Sequence, residues 1–225
     1  MATDHISGDQ PSRTKILSLV RSGLFNKSMD PGSSTAGVAT RGAPGTPVRI
    51  DSHELETVDL FEEVLRDYKA RVLRVDVEGL PDAVAEVVSS CGIKSLVVPN
   101  GLDLSWYEGV GQVELVVDDG SGPAVGFEKI DGVITGCSCA IAETGTLVLS
   151  GKPDEGRRVI TLLPDFHICI VKTEAIIRRV SELFSRVGVS NPVTLISGPS
   201  ATSDIELKRV EGVHGPRNLI VVIVR

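Results

Sequence analysis

Apolar residues in this chain fall into two periods, and their alternation from Arg49 onward predicts a domain of strands and helices. Val58, Phe61, Leu65 and Tyr68 recur every three or four positions, the stripe of an amphipathic helix. Residues 71–77 (RVLRVDV) then read as a strand. Pro81 opens a second helix in which Val84, Val87, Val88 and Cys91 face one way, and Gly92 ends it. Short apolar runs bounded by turn residues predict strands at 95–98 and 113–117, separated by a Gly-containing loop around Trp106. More strands are expected at 132–135, 146–149 and 166–171. Ile176, Val180, Leu183, Phe184 and Val187 lie at helical spacing with Gly188 after them, so a third helix is expected there. Strands at 193–197 and 219–224 complete the pattern. Helices alternating with apolar strands imply an α/β fold: an open, mostly parallel sheet with helices on both faces. Residues 132–149 hold two strands with no helix between them, which allows mixed pairing.

Upstream of Arg49 the pattern dissolves. Ser12 can cap a short helix carrying Ile16, Leu19 and Val20, with Gly23 past its end. Residues 28–47 (SMDPGSSTAGVATRGAPGTP) offer little apolar surface to bury and read as a flexible linker. The expected organisation is a helical extension at 1–27, a linker at 28–48 and an α/β domain at 49–225.

Composition narrows the partners. The chain is 41% hydrophobic but only 4% aromatic, so its core must be built from Val, Leu, Ile and Ala, which suits buried parallel strands. A net charge of −7 with no block of Lys and Arg argues against nucleic acid and anionic membrane as partners. The apolar run 219–224 is far shorter than the roughly 20 residues that cross a bilayer. Residues 1–10 are polar and lack the apolar segment of a secretory signal. The four cysteines do not form a disulfide framework in a chain of this length and read as reduced thiols, which makes the cytoplasm the expected location.

In open α/β sheets ligands bind beyond the carboxyl ends of strands, so loops beside strands are where chemistry is sought. Three are rich in Gly, hydroxyls and ionisable groups. In the first, Thr135, Gly136, Glu143, Thr144, Gly145 and Thr146 set a carboxylate and hydroxyls beside glycines that permit tight turns. Glu143 is a candidate general base or nucleophile; the plainer alternative is that it caps a turn or pairs with Arg157 or Arg158. In the second, Ser197, Gly198, Ser200, Thr202, Ser203 and Asp204 can hold a phosphate or carboxylate, or form an ordinary turn. In the third, His214 can transfer protons, Gly215 gives freedom to the turn, and Arg217 can clamp a carboxylate bidentately. A single cleft holding Glu143, Ser200, His214 and Arg217 is expected. Cys137 and Cys139, in the first loop, resemble half a metal site. Their spacing is not the C-x-x-C of structural zinc or iron–sulfur sites, so no metal is assigned. His167 reads either as a core histidine or as a site residue at a strand end. Neither G-x-G-x-x-G, nor a P-loop, nor a G-x-S-x-G elbow is present, and no cofactor is expected.

Taken together, the segments GVITGCSCAIAETGTLVL, ISGPSATSDIEL and EGVHGPRNLIVVIV resemble the LUD-domain family, in their order as well as their residues. The resemblance spans roughly 51–225 and is most specific after Gly132. It implies a fold like that of CoA transferases and sugar-phosphate isomerases. It further implies a role in lactate utilisation, the oxidation of L-lactate to pyruvate alongside iron–sulfur partner proteins that carry the redox clusters. On that basis the chain is expected to be a non-redox subunit or accessory protein, with its hydroxyl loop and Arg217 suited to a small carboxylate. The alternative is an independent enzyme of CoA-transferase or isomerase type using Glu143 as nucleophile or base.

Overall fold

In the structure, a computed structural model, residues 52–123, 126–187, 192–202, 210–211 and 215–225 are described. The helical extension and linker expected at 1–48 lie outside them.

Six strands form one parallel sheet: β1 (Arg71–Val75), β2 (Ser95–Pro99), β3 (Glu114–Asp118), β4 (Gly132–Thr135), β7 (Phe166–Lys172) and β12 (Asn218–Val224), in the order β1-β12-β7-β4-β2-β3. The central strands are buried on both sides, which is why β7 and β12 read as unbroken apolar runs rather than alternating ones. Successive residues serve opposite faces. Leu96, Val98, Ile134, Ile168, Ile170, Val222 and Val224 pack against α2 (Leu80–Ser90) through Val84, Val87 and Val88. Cys169, Val171, Val221 and Ile223 pack on the other face against α1 (Ser52–Asp67), which contributes Val58, Phe61 and Leu65. The α/β reading with a mostly parallel sheet and helices on both faces is therefore what the chain adopts.

A second sheet lies on the α1 face, with the order β8-β5-β6-β9: β5 (Cys139–Ile141), β6 (Thr146–Leu149), β8 (Ile176–Ile177) and β9 (Thr194–Ser197). Strands β5 and β6 form an antiparallel hairpin whose turn uses Gly145 at φ 55°, and β9 extends it antiparallel to β6. Ala140, Leu147, Leu149 and Ile176 face the large sheet, while Cys139, Ile141, Val148 and Ile177 face outward onto Leu183 and Val187. A short antiparallel pair, β10 (Ala201–Thr202) and β11 (Val210–Glu211), stands apart.

Three expectations are corrected. The third helix is not one continuous element: Ile176 and Ile177 form β8 alongside Ala140 and Ile141, and only Leu183–Arg186 makes an α-helical turn, α3. The ladder holds the two isoleucines extended, and Val180 and Phe184 on the supposed stripe are exposed. The loop placed at 135–146 contains β5, so Cys139 is a buried strand residue. Strand β1 stops at Val75, where Asp76 turns the chain by accepting from the Gly79 N–H at 2.8 Å.

Candidate functional site

Beyond the carboxyl ends of β2 and β3, Asn100, Asp118 and Gly120 border a cavity of about 650 Å³ whose other wall is the segment 149–158. That segment is fixed from within. Glu155, fully buried, accepts from the backbone N–H of Ser150 at 2.6 Å and of Lys152 at 3.0 Å, and from the Ser138 and Ser150 hydroxyls. The Gly101 and Gly136 N–H groups donate to the carbonyls of Pro153 and Asp154. Gly136 lies close against Asp154, so an added Cβ would fall 2.4 Å from Asp154 Oδ2 and displace that carboxylate. Arg157 grips the buried Asp118 with two bonds, Nε to Oδ2 at 3.1 Å and Nη2 to Oδ1 at 2.6 Å, and these hold its guanidinium more firmly protonated than usual. Its Nη1 donates to the Gly122 carbonyl, and its plane lies 5.7 Å from the Phe127 ring centroid.

Arg158, Thr161 and Thr194 line this cavity and also a second one, of about 310 Å³, formed by β9, residues 198–200, Gly215, Pro216, His167 of β7 and Leu219 of β12. Here the second and third predicted loops meet: the Ser200 N–H donates to the Pro216 carbonyl at 2.8 Å. Gly198, at φ 81°, lies so close to Tyr68 that an added Cβ would be 2.7 Å from that side chain. Ser197 continues a chain of hydroxyls, Thr144 to Thr146 at 2.7 Å and Thr146 to Ser197 at 2.8 Å. Arg158 is exposed and its side chain makes no ion pair or hydrogen bond with the described residues.

His167 also forms part of this second cavity's wall. It is fully buried; its Nε2 lies 2.8 Å from Thr135 Oγ1, and its Nδ1 has no partner among the described residues. Burial lowers its pKa to about 4, so the ring is neutral at pH 7.

The predicted residues are thus distributed over several places. Ser197, Gly198, Ser200 and Gly215 line one cavity. Thr146 reaches it through Ser197, and Thr135 through His167. Arg217 stands at the amino end of β12 and is paired bidentately with Asp165, at 2.5 Å and 2.8 Å, in a neighbouring cavity that shares Leu162 and Gly215. Glu143 is paired with Arg179 at 3.2 Å and Arg178 at 3.7 Å rather than with Arg157 or Arg158, and its N–H donates to the Arg178 carbonyl. Gly145 packs on α1, where an added Cβ would meet Val64 at 2.9 Å. Thr202 belongs to β10; Asp204 and His214 lie outside the described residues. Sequence reasoning named Arg157 and Arg158 only as partners for Glu143 and missed the 150–158 segment (SGKPDEGRR) as a cavity wall. Its signal was present: a Gly-, Lys- and Arg-bearing loop directly after a strand.

The thiols are inward-facing. Cys137 donates to the Cys139 carbonyl at 2.8 Å. Burial pushes the Cys139 thiol up to about 11, and the contact with Cys137, aided by burial, raises that of Cys169. Among the described residues no group of three His, Cys, Asp or Glu side chains is placed to hold a metal. No helix there is long and apolar enough to cross a membrane.

An open parallel α/β sheet carrying a second, hairpin-based sheet and a small polar cavity between the two defines the class. The model of the LUD domain matches residues 114–224. A lactate utilization protein C from Deinococcus radiodurans is 39% identical over 193 residues, covering 84% of this chain and 89% of that protein. One from Bacillus subtilis is 31% identical over 192 residues, covering 75% and 80%. The crystal structure of a DUF162 family protein from Deinococcus radiodurans superposes with a TM-score of 0.65 at 34% identity, covering 76% of this chain and 98% of that one. The chain belongs to the LUD-domain family.

Proposed function

We propose that this chain serves lactate utilisation in the cytoplasm as a non-redox subunit or accessory protein, working beside iron–sulfur proteins and binding a small carboxylate through its 49–225 domain. The observation that carries the reading is the likeness, over most of both chains, to proteins named lactate utilization protein C. The residue types support the division of labour. Oxidation of L-lactate to pyruvate removes two electrons, which a flavin, nicotinamide or metal cluster receives. Arg158, Ser197, Ser200 and His167 can hold a carboxylate and share protons, but they cannot receive an electron pair. The alternative, an enzyme with Glu143 as nucleophile, rests on fold alone, since that carboxylate is held between two arginines.

Deletion of the gene should abolish growth on L-lactate as sole carbon source and leave growth on glucose intact. The tagged chain, purified from lactate-grown cells, should bring iron–sulfur proteins with it. Turnover of L-lactate with an artificial electron acceptor, by a preparation free of iron and flavin, would overturn the non-redox assignment.

A further inference from the structure

We propose that the cavity walled by Arg158, β9 and His167 is the binding site of a 2-hydroxy or 2-oxo carboxylate, its carboxylate on the Arg158 guanidinium and its C2 oxygen on His167 Nδ1. The inference deepens the lactate-utilisation reading and rests on it.

Two unmet groups define the ligand. The first is a cation. Arg66, Arg74, Arg157, Arg178, Arg179 and Arg217 are engaged by carboxylates, whereas Arg158, like Arg71, Arg186 and Arg225, has no carboxylate partner among the described residues, and of these four it is the one that lines this cavity. A guanidinium with its fork open is suited to a carboxylate. The second is a buried nitrogen. Buried polar atoms are almost always paired, and His167 Nδ1 is the one buried side-chain nitrogen or oxygen without a partner among the described residues. The ring being neutral, Nδ1 is matched to an uncharged oxygen rather than to a second anion.

The tautomer can follow the ligand. Thr135 Oγ1 is able either to donate to Nε2 or to accept from it, so Nδ1 can accept from a C2 hydroxyl or donate to a C2 keto group. The same cavity therefore suits both members of a hydroxy acid–keto acid pair. Leu162, Leu195, Ile196 and Leu219 supply apolar wall for a short alkyl group. A simple fatty acid would leave Nδ1 unmet. Phosphate would add charge where the wall offers a single cation.

The test is calorimetric titration of the full chain with L-lactate, pyruvate, propionate and inorganic phosphate. L-Lactate or pyruvate should bind about tenfold or more tightly than propionate, which lacks the C2 oxygen. R158Q, a change at an exposed position, should weaken both C2-oxygenated acids by about tenfold or more. H167Q should remove the preference over propionate. Because that variant alters the core, imidazole ¹⁵N spectra of the unmodified chain provide an independent reading: L-lactate should shift Nδ1 of one histidine, and propionate should not. Equal binding of L-lactate and propionate, phosphate as the tightest ligand, unchanged binding by R158Q, or no binding at all would overturn the site. A growth defect on L-lactate without such binding would sink this cavity and leave the lactate role standing. Selective binding by a chain whose deletion spares growth on L-lactate would retain the site and remove the role.

Discussion

The two cavities that share Arg158 differ in how far the protein satisfies its own polar groups. At the carboxyl ends of β2 and β3, where ligands of parallel sheets are usually found, Glu155 takes up two N–H groups and two hydroxyls, and Arg157 and Asp118 take up each other. Around His167, Arg158 has no ion-pair partner among the described residues, and one nitrogen of the buried imidazole has no described partner either. The first region is the larger, and apart from the shared Arg158 its buried carboxylates and Arg157 are taken up by one another and by backbone and hydroxyl donors. The second is the smaller and presents groups whose partners must come from elsewhere. Polar residues alone do not mark a site; polar residues that the fold leaves unmatched are the better guide.

The comparison breaks first at Glu155. If its carboxylate is structural, Glu155→Ala leaves the backbone N–H groups of Ser150 and Lys152 without their acceptor, and urea unfolding should show a loss on the order of 4 kcal/mol, from two donors at roughly 1–3 kcal/mol each. A loss under about 1 kcal/mol would mean that the 150–158 segment is not held as described.

The next effect belongs to His167 and appears as pH dependence. Its pKa in the fold is about 4 against an ordinary 6.5. As pH falls below the ordinary value, the unfolded chain takes up a proton that the folded chain refuses. The stability this group contributes is therefore present above about pH 6.5 and is lost progressively down to about pH 4. Between pH 7 and pH 5 the loss from His167 alone should be about 2 kcal/mol, measured as the difference between the parent chain and His167→Gln. Parallel pH curves for the two proteins would place the ring in a wetter environment than the cavity wall gives it.

Much of the fold was legible because its strands are short, apolar and bounded by turn residues. Strands β4 and β6 begin and end at the expected residues, and α2 follows the stripe of Val84, Val87 and Val88. What failed was tertiary. Cys139, Ala140 and Ile141 are buried on both sides of a second sheet, so β5 shows no alternation to betray it. Ile176 and Ile177 carry helical spacing but are captured by β5 across 36 residues of chain, a pairing that no local pattern encodes. The site was legible in part. Ser197, Gly198, Ser200 and Gly215 were chosen for their chemistry and do line one cavity. Arg217 satisfied the same criterion, yet Asp165, 52 residues away in sequence, pairs with it. His167 sits inside an apolar run, and nothing in the run says that one of its nitrogens would be left without a described partner.

The smallest effect is the sharpest test, because it separates two adjacent residues of the same type. Arg157 and Arg158 cannot be told apart by composition or local charge; only Asp118, 39 residues earlier, distinguishes them. Arg157 holds that carboxylate, whose side chain is 2% exposed, while keeping 26% of its own surface in water. Arg157→Ala strands a nearly buried charge and should lower the urea midpoint clearly, with solvent screening on the arginine side limiting the loss. Arg158→Ala removes a guanidinium that the described residues do not engage, so the same measurement should move by no more than about 0.5 kcal/mol. Salt should extend the contrast: raising ionic strength screens the Arg157–Asp118 attraction only partly, because one partner is buried, and leaves the Arg158 variant tracking the parent chain. Equal losses from the two substitutions would mean that Arg158 has a partner inside the fold, and the unmatched cation of the second cavity would disappear with it.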